Sequence, residues 1–299
     1  MRVHFCDHHV VTLPEGHRFP MEKYRMLRER LVAEAVLHPD ELSPADAVDL
    51  DAVRAVHDDG YVDAVLEGTL PRDAVRRLGF PWSPALVART LASVGGTVKA
   101  AWAALDDGCS GNLAGGTHHA HHDFGSGFCV FNDVVVAART LLDAGAVERV
   151  LVFDVDVHQG DGTAALCGDE SRVFTTSLHG AKNFPARKTR SDLDVALDDG
   201  TGDEAYLAAM GAALDQSLER SRADLCFVQG GVDVLADDHL GRLSLTHAGL
   251  EARDRELLGR LRAEGIPAVL TLGGGYSRPI DASLRGHVGT YRVAKSLFP

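Results

Sequence analysis

Short apolar runs rich in β-branched and aromatic residues alternate with longer segments of helical pattern along almost the whole 299-residue chain. The apolar runs predict strands at 3–6, 111–115, 149–157, 172–177, 224–229 and 268–272. Most are continuous rather than alternating, as expected of strands covered on both faces. Helical patterns predict helices over 21–37, 49–66, 84–105, 132–144, 203–219, 246–264 and 281–297, with Asp203 and Thr246 as N-terminal caps. Buried parallel strands need crossovers, and the helical segments supply them. The pattern therefore predicts an α/β fold: a three-layer αβα single domain over 1–299 with a mainly parallel central sheet. No Pro/Ser-rich linker or internal repeat divides the chain.

In an open parallel sheet ligands bind beyond the carboxyl ends of the strands, so polar residues that follow an apolar run carry the most information. Four segments meet that description: 115–119 (G-G-T-H-H), 154–158 (D-V-D-V-H), 229–233 (Q-G-G-V-D) and 272–276 (L-G-G-G-Y). If 149–157 stays extended to its end, the side-chain period of two puts Asp154, Asp156 and His158 on one face. Two carboxylates and an imidazole on a buried strand call for a compensating cation, and O and N donors without thiolate suit Zn²⁺, Mn²⁺ or Fe²⁺. Asp233 follows another apolar strand and completes a three-ligand site with Asp156 and His158, leaving one position open for water.

Glycines ahead of His118 and His119 allow the bend that would let both histidines face one pocket; His121 and His122, in the same H-H-A-H-H tract, read as a surface cluster. Asp161 either holds an imidazole by its second nitrogen or caps a helix. Tyr276 after three glycines is either a loop residue or a phenol donor aimed at a ligand.

Composition adds limits. With 30 Lys plus Arg against 43 Asp plus Glu, the formal charge of −13 argues against nucleic acid or an anionic membrane as main partner, while a cationic ligand is compatible. The segment Arg187-Lys188-Thr189-Arg190 is locally basic and reads as a solvated turn, or secondarily as a contact for an acidic partner. Five scattered cysteines without a C-x-x-C pair, no signal-like N-terminus and no apolar stretch near 18 residues lead us to expect a cytoplasmic protein with reduced thiols.

The motifs 115–120 (G-G-T-H-H-A), 127–133 (G-F-C-V-F-N-D), 153–162 (F-D-V-D-V-H-Q-G-D-G), 176–179 (T-S-L-H), 230–233 (G-G-V-D) and 272–276 resemble those of the zinc-dependent histone deacetylases, within the arginase/deacetylase superfamily. They occur in that family's order and approximate spacing. Segments 17–24 and 79–87 look most like the class IV branch and its bacterial relatives. The resemblance implies one catalytic Zn²⁺ on Asp156, His158 and Asp233. It reassigns Asp154 to support His118 and to bind a structural K⁺ with Ser177 and main-chain oxygens near Leu178. It implies His118 and His119 as the tandem active-site histidines, backed by Asp154 and Asp161, and Tyr276 as the group that polarises the scissile carbonyl. Gly127, Phe128, Phe184, Leu240 and Gly274 match positions around a narrow tunnel for the stem of an acyl-amine, although core packing is the commoner fate of a phenylalanine.

The implied activity is hydrolysis of an N-acyl amide on a lysine side chain or similar amine, in an acyl-lysine protein or peptide or an acylated polyamine. Three rivals stand beside it. A small-molecule amidohydrolase, such as an acetylpolyamine deacetylase, shares the zinc chemistry. An arginase-like ureohydrolase expects D-x-H-x-D where this chain has D-V-D-V-H, and a non-catalytic acyl-amine sensor gains no support from so full a set of reactive residues.

Overall fold

The computed structural model describes residues 1–298. Among them, eight strands form one sheet: β1 (Val3–Phe5), β2 (Leu42–Pro44), β3 (Cys109–Asn112), β4 (Val150–Asp154), β5 (Val173–Gly180), β6 (Leu193–Leu197), β7 (Leu225–Gln229) and β8 (Ala268–Thr271). Their spatial order is β2-β1-β3-β8-β7-β4-β5-β6, and every neighbouring pair is parallel. The helices are α1 (Lys23–Ala33), α2 (Leu50–Arg54), α3 (Asp59–Glu67), α4 (Arg72–Leu78), α5 (Pro84–Asp107), α6 (Asp133–Asp143), α7 (Asp161–Cys167), α8 (Asp203–Ser221), α9 (His247–Ala263) and α10 (Asp281–Leu297).

Continuous apolar strands feed two cores, one on each sheet face. Val150, Val152, Leu225, Phe227 and Val269 join one cluster with α5 and α6. Leu151, Phe153, Cys226, Val228 and Leu270 join the other with α1, α8, α9 and α10. The period-two alternation of a strand thus divides each apolar run between two helical layers, as the α/β reading requires. All five cysteines are free and buried. No helix among the described residues is long and apolar enough to cross a membrane.

Several boundaries differ from expectation for local reasons. The segment predicted as one helix over 49–66 is two, because Asp58 caps Tyr61 through its side chain and its own N–H donates to the His122 carbonyl. Thr246 caps α9 as predicted, its Oγ accepting from Gly249 N–H at 3.0 Å, whereas Asp203 is the first residue of α8 and instead accepts from Thr246. The short edge strands β2 and β6 and the helix α4 have weak periodic signals and are not predicted, and α7 enters the sequence reading only through Asp161 as an alternative cap. β3 begins earlier than 111 and ends at Asn112.

The difference that matters chemically is at β4. It ends at Asp154 and does not run extended to Val157. Asp154 Oδ1 accepts from Asp156 N–H at 3.0 Å, and Asp156 Oδ1 accepts from His158 N–H at 2.9 Å. Successive carboxylates hydrogen-bonding two residues ahead draw the backbone out of the ladder.

Candidate active site

β3, β8, β7 and β4 are adjacent in the middle of the sheet, so the loops that follow them open at one edge. Those loops carry the four polar segments singled out above. Asp156 accepts from His158 Nδ1 at 3.0 Å and from Gly274 N–H at 2.6 Å. Asp233 Oδ1 accepts from Val157 N–H at 2.9 Å, while its Oδ2 lies 3.1 Å from His158 Nδ1 and has no hydrogen-bond partner among the described residues. One donor atom from each of Asp156, His158 and Asp233 falls within 4.8 Å of the others, and all three residues are buried. A fully buried carboxylate oxygen left without a donor, facing an imidazole nitrogen and a second carboxylate, fits a divalent cation. Asp154 is not part of that group, so its earlier placement as a ligand by strand alternation is corrected: β4 stops too soon for the three side chains to share a strand face.

Asp154 Oδ2 instead holds His118 Nδ1 at 2.7 Å, and Asp161 Oδ1 holds His119 Nδ1 at 2.6 Å. These two histidine–aspartate pairs differ in charge. Burial would depress both imidazoles. For His118 the Asp154 carboxylate outweighs burial and lifts the ring to about 9, whereas for His119 burial and the neighbouring His118 charge prevail over Asp161 and push it down to about 3. Burial works to raise Asp161, but hydrogen bonds from His119 and His121 hold its carboxyl well below the usual range. Asp161 opens α7 without capping it.

His121, read from sequence as a surface histidine, is half-buried: its Nε2 lies 3.1 Å from Asp161 Oδ2 and its ring stacks on Phe124 at 4.4 Å. His122 is exposed and, among the described residues, its imidazole bonds only the Val56 carbonyl, in keeping with its bland reading.

Tyr276 lines the same cavity, with its N–H donating to Asp238 Oδ2 at 2.6 Å. Burial, then Tyr24 and the Asp156 and Asp233 carboxylates, raise its phenol well above the ordinary value, so it stays protonated. The cavity has a volume of about 360 Å³, and Gly127, Phe128, Phe184, Leu240 and Gly274 all line it. Phe184 meets the His119 ring edge-on at 4.8 Å and is 45% exposed, which places it at the mouth. Phe128 adopts φ +68°, a strained value for a non-glycine residue, and packs on Phe19 and Phe80. A Cβ on Gly274 would collide with Asp233 Oδ2, so only glycine lets this loop close over the carboxylates.

Ser177 lies opposite Asp154 in the β4–β5 register, followed by Leu178, and all three are buried; Ser177 Oγ pairs with His179 Nδ1 at 3.0 Å. Two further residues are given no role by the sequence. Lys23 is buried against the Tyr276, Tyr24 and Phe19 rings, with Nζ 3.4 Å from the Gly273 carbonyl. Arg253 of α9 donates from Nη1 to the carbonyls of Gly231 at 2.7 Å and Val155 at 3.3 Å, and is itself held by Asp254, which accepts from Thr290 of α10.

The Histone deacetylase domain family matches residues 17–290. An uncharacterized protein of Picosynechococcus sp. is 42% identical over 290 residues, covering 97% of each chain. Histone deacetylase 2 of Arabidopsis thaliana is 27% identical over 273 residues, covering 88% of this chain and 70% of its own. Histone deacetylase 19 of the same plant is 33% identical over 289 residues, and there the match covers 88% of this chain but only 56% of the relative. Among solved structures, the HDA15 HD domain superposes with a TM-score of 0.81 at 21% identity over 99% of this chain and 90% of its own, a likeness of fold.

Proposed function

The chain belongs to the histone deacetylase family, and from that premise we propose that it hydrolyses the N-acyl amide of an acyl-lysine side chain, or of a similar amine, with a zinc ion held by Asp156, His158 and Asp233. The observation that carries this reading is the unpartnered Asp233 Oδ2, buried beside His158 and Asp156 at the end of a cavity that also presents His119 and Tyr276. Zinc, when bound, acidifies water and polarises the acyl carbonyl.

The protein supplies the rest. His119 has Nδ1 committed to Asp161, so its free Nε2 takes the proton of the attacking water and passes one to the departing amine. A ring pushed down to about 3 is neutral at working pH and ready for the first of these steps. His118, kept protonated by Asp154, adds positive charge next to it. Tyr276 donates its phenol proton in a hydrogen bond to the carbonyl oxygen as that oxygen gains charge. Phe128 and Phe184 wall the path of the alkyl stem, with Gly127, Leu240 and Gly274 keeping it narrow. A K⁺ beside Asp154, Ser177 and Leu178 belongs to the same proposal and would brace β4 and β5 where the site begins.

The test is turnover of an acetyl-lysine peptide, a myristoyl-lysine peptide and N-acetylputrescine by the zinc-loaded chain, with and without chelator. We expect amide hydrolysis that chelator abolishes and zinc restores. Stoichiometric zinc with no hydrolysis of any of the three would overturn the reading.

A further inference from the structure

Resting on the reading above, we propose that the mouth of the cavity selects acyl-amine substrates with negative charge next to the acyl group, such as acyl-lysine within an acidic peptide, and disfavours basic tails and polyamines.

The overall balance of −13 points the other way, but charge around the mouth is inverted. Among the described residues that line the cavity, Asp156 on the floor is the only carboxylate, whereas Lys182 and Arg242 are cations at the rim. Both reach for one partner, Asp199, at 3.5 Å and 3.3 Å, and their side chains remain 69% and 56% exposed. Two cations sharing one distant carboxylate leave net positive charge facing the opening.

The loop between β5 and β6 adds to it. From 181 to 192 the chain reads A-K-N-F-P-A-R-K-T-R-S-D, with four cations, Lys182, Arg187, Lys188 and Arg190, against one acid, Asp192, which is bonded back to Thr175 at the far end of the loop. Phe184 at the mouth belongs to this loop, and of its cations Lys182 lines the cavity beside it, while Arg187, Lys188 and Arg190 follow a few residues further along. Arg187 and Arg190 are exposed and form no ion pair among the described residues. On the facing segment stand two acids, Asp237 and Asp238, the second held in place by the N–H groups of Leu240, Gly241 and Tyr276, so that the cations of the rim and the loop outnumber the acids facing them.

The basic loop is also fixed in place. Gln159, next to the ligand His158, exchanges hydrogen bonds with Thr189, accepting from its N–H at 2.9 Å and donating to its carbonyl at 2.5 Å. Asn183 Nδ2 donates to the Leu240 carbonyl at 2.7 Å, and Lys188 Nζ donates to the carbonyls of Asn183 and Pro185. Charges held on an anchored loop need no reorganisation to meet a substrate, and fixed charge at a cleft steers oppositely charged ligands while penalising like charge.

The experiment uses the full zinc-loaded chain and three acetyl-lysine peptides that differ only in flanking residues: acidic, neutral and basic. The expected result is a preference of about tenfold in kcat/KM for the acidic over the basic peptide at low ionic strength, carried by KM and shrinking with added salt. Reversing the rim charges in K182E/R242E, and separately in R187E/R190E, should narrow or invert that ratio. Fluorescent versions of the same peptides titrated against Tyr276→Phe measure the preference in binding alone. Tighter acidic binding without turnover by the unsubstituted chain keeps this inference and overturns the hydrolase reading. Turnover with no flank preference, or with the basic peptide favoured, overturns this inference and keeps that reading.

Discussion

At the floor of the cavity Asp156 accepts three hydrogen bonds of 2.6–3.0 Å and both active-site histidines are locked to carboxylates, while at the mouth two cations share Asp199 across 3.3–3.5 Å. The floor is over-determined: Asp156 and Asp233 each accept a backbone N–H from another loop, the histidines are held by carboxylates, and glycine is required at 274 where loops approach. The mouth is anchored through its backbone, but its cationic and aromatic side chains stand in solvent. On the reading proposed here the two regions divide the work. Geometry that must be held to within a fraction of an ångström is assigned to buried, mutually constrained groups, and discrimination between substrates is assigned to exposed groups that can change without disturbing the fold. Substitutions at the floor should appear in turnover and metal content, and substitutions at the mouth in KM and salt dependence.

The largest effect is expected for Asp233→Ala, which removes the orphan oxygen: zinc content measured by elemental analysis should fall sharply and activity by about 10³-fold or more. Retention of stoichiometric zinc would break the division at its strongest point. His119→Ala should lower kcat by roughly 10²–10⁴ with zinc retained, and Tyr276→Phe by roughly 10²–10³, again with zinc retained.

Asp154→Asn sharpens the contrast between the two histidines. With His119 neutral above about 3 and His118 protonated below about 9, the unsubstituted chain should hold both required states between those limits and lose activity on the alkaline side as His118 deprotonates. Removing the carboxylate that raises His118 should move that alkaline limb about one to three pH units lower, visible in a kcat profile; an unmoved limb would mean that His118 does not set it. The smallest effect is expected for Phe184→Ala, about tenfold or less in kcat/KM and mostly in KM, since it loses one exposed aromatic contact. A kcat loss as large as that of Tyr276→Phe would place Phe184 in the floor's class.

Much of the floor was legible in sequence because parallel-sheet topology turns four separate strand ends into one location, and each strand end was marked by an apolar run followed by glycine, aspartate or histidine. The mouth was not, because Lys182 and Arg242 lie 60 residues apart and only the fold sets them on one carboxylate; the basic run at 187–190 was visible but had nothing to attach it to the opening. Side-chain hydrogen bonds account for the other departures. Asp154 and Asp156 end β4 early, Asp58 splits the helix predicted over 49–66, and Asp161 recruits His121 through its second oxygen. Periodicity counts apolar positions and is blind to such bonds. Lys23 and Arg253 belong to helical segments whose motifs carry no chemistry, so their burial against the site could be found only in three dimensions.

The Arg253–Asp254 pair has a consequence for how the protein is assembled. Its guanidinium ties the carbonyl of Val155, from the first ligand segment, to that of Gly231, from the second, and it is anchored on α9 and α10 rather than on the loops it joins. A hydrogen-bonded tie of this kind needs no metal and, on the proposed reading, stays when the cation leaves. The receptor can thus be finished before its ion arrives, and loading becomes a step separate from folding: chelator-stripped protein should keep its secondary structure and cooperative melting transition and take up metal without refolding.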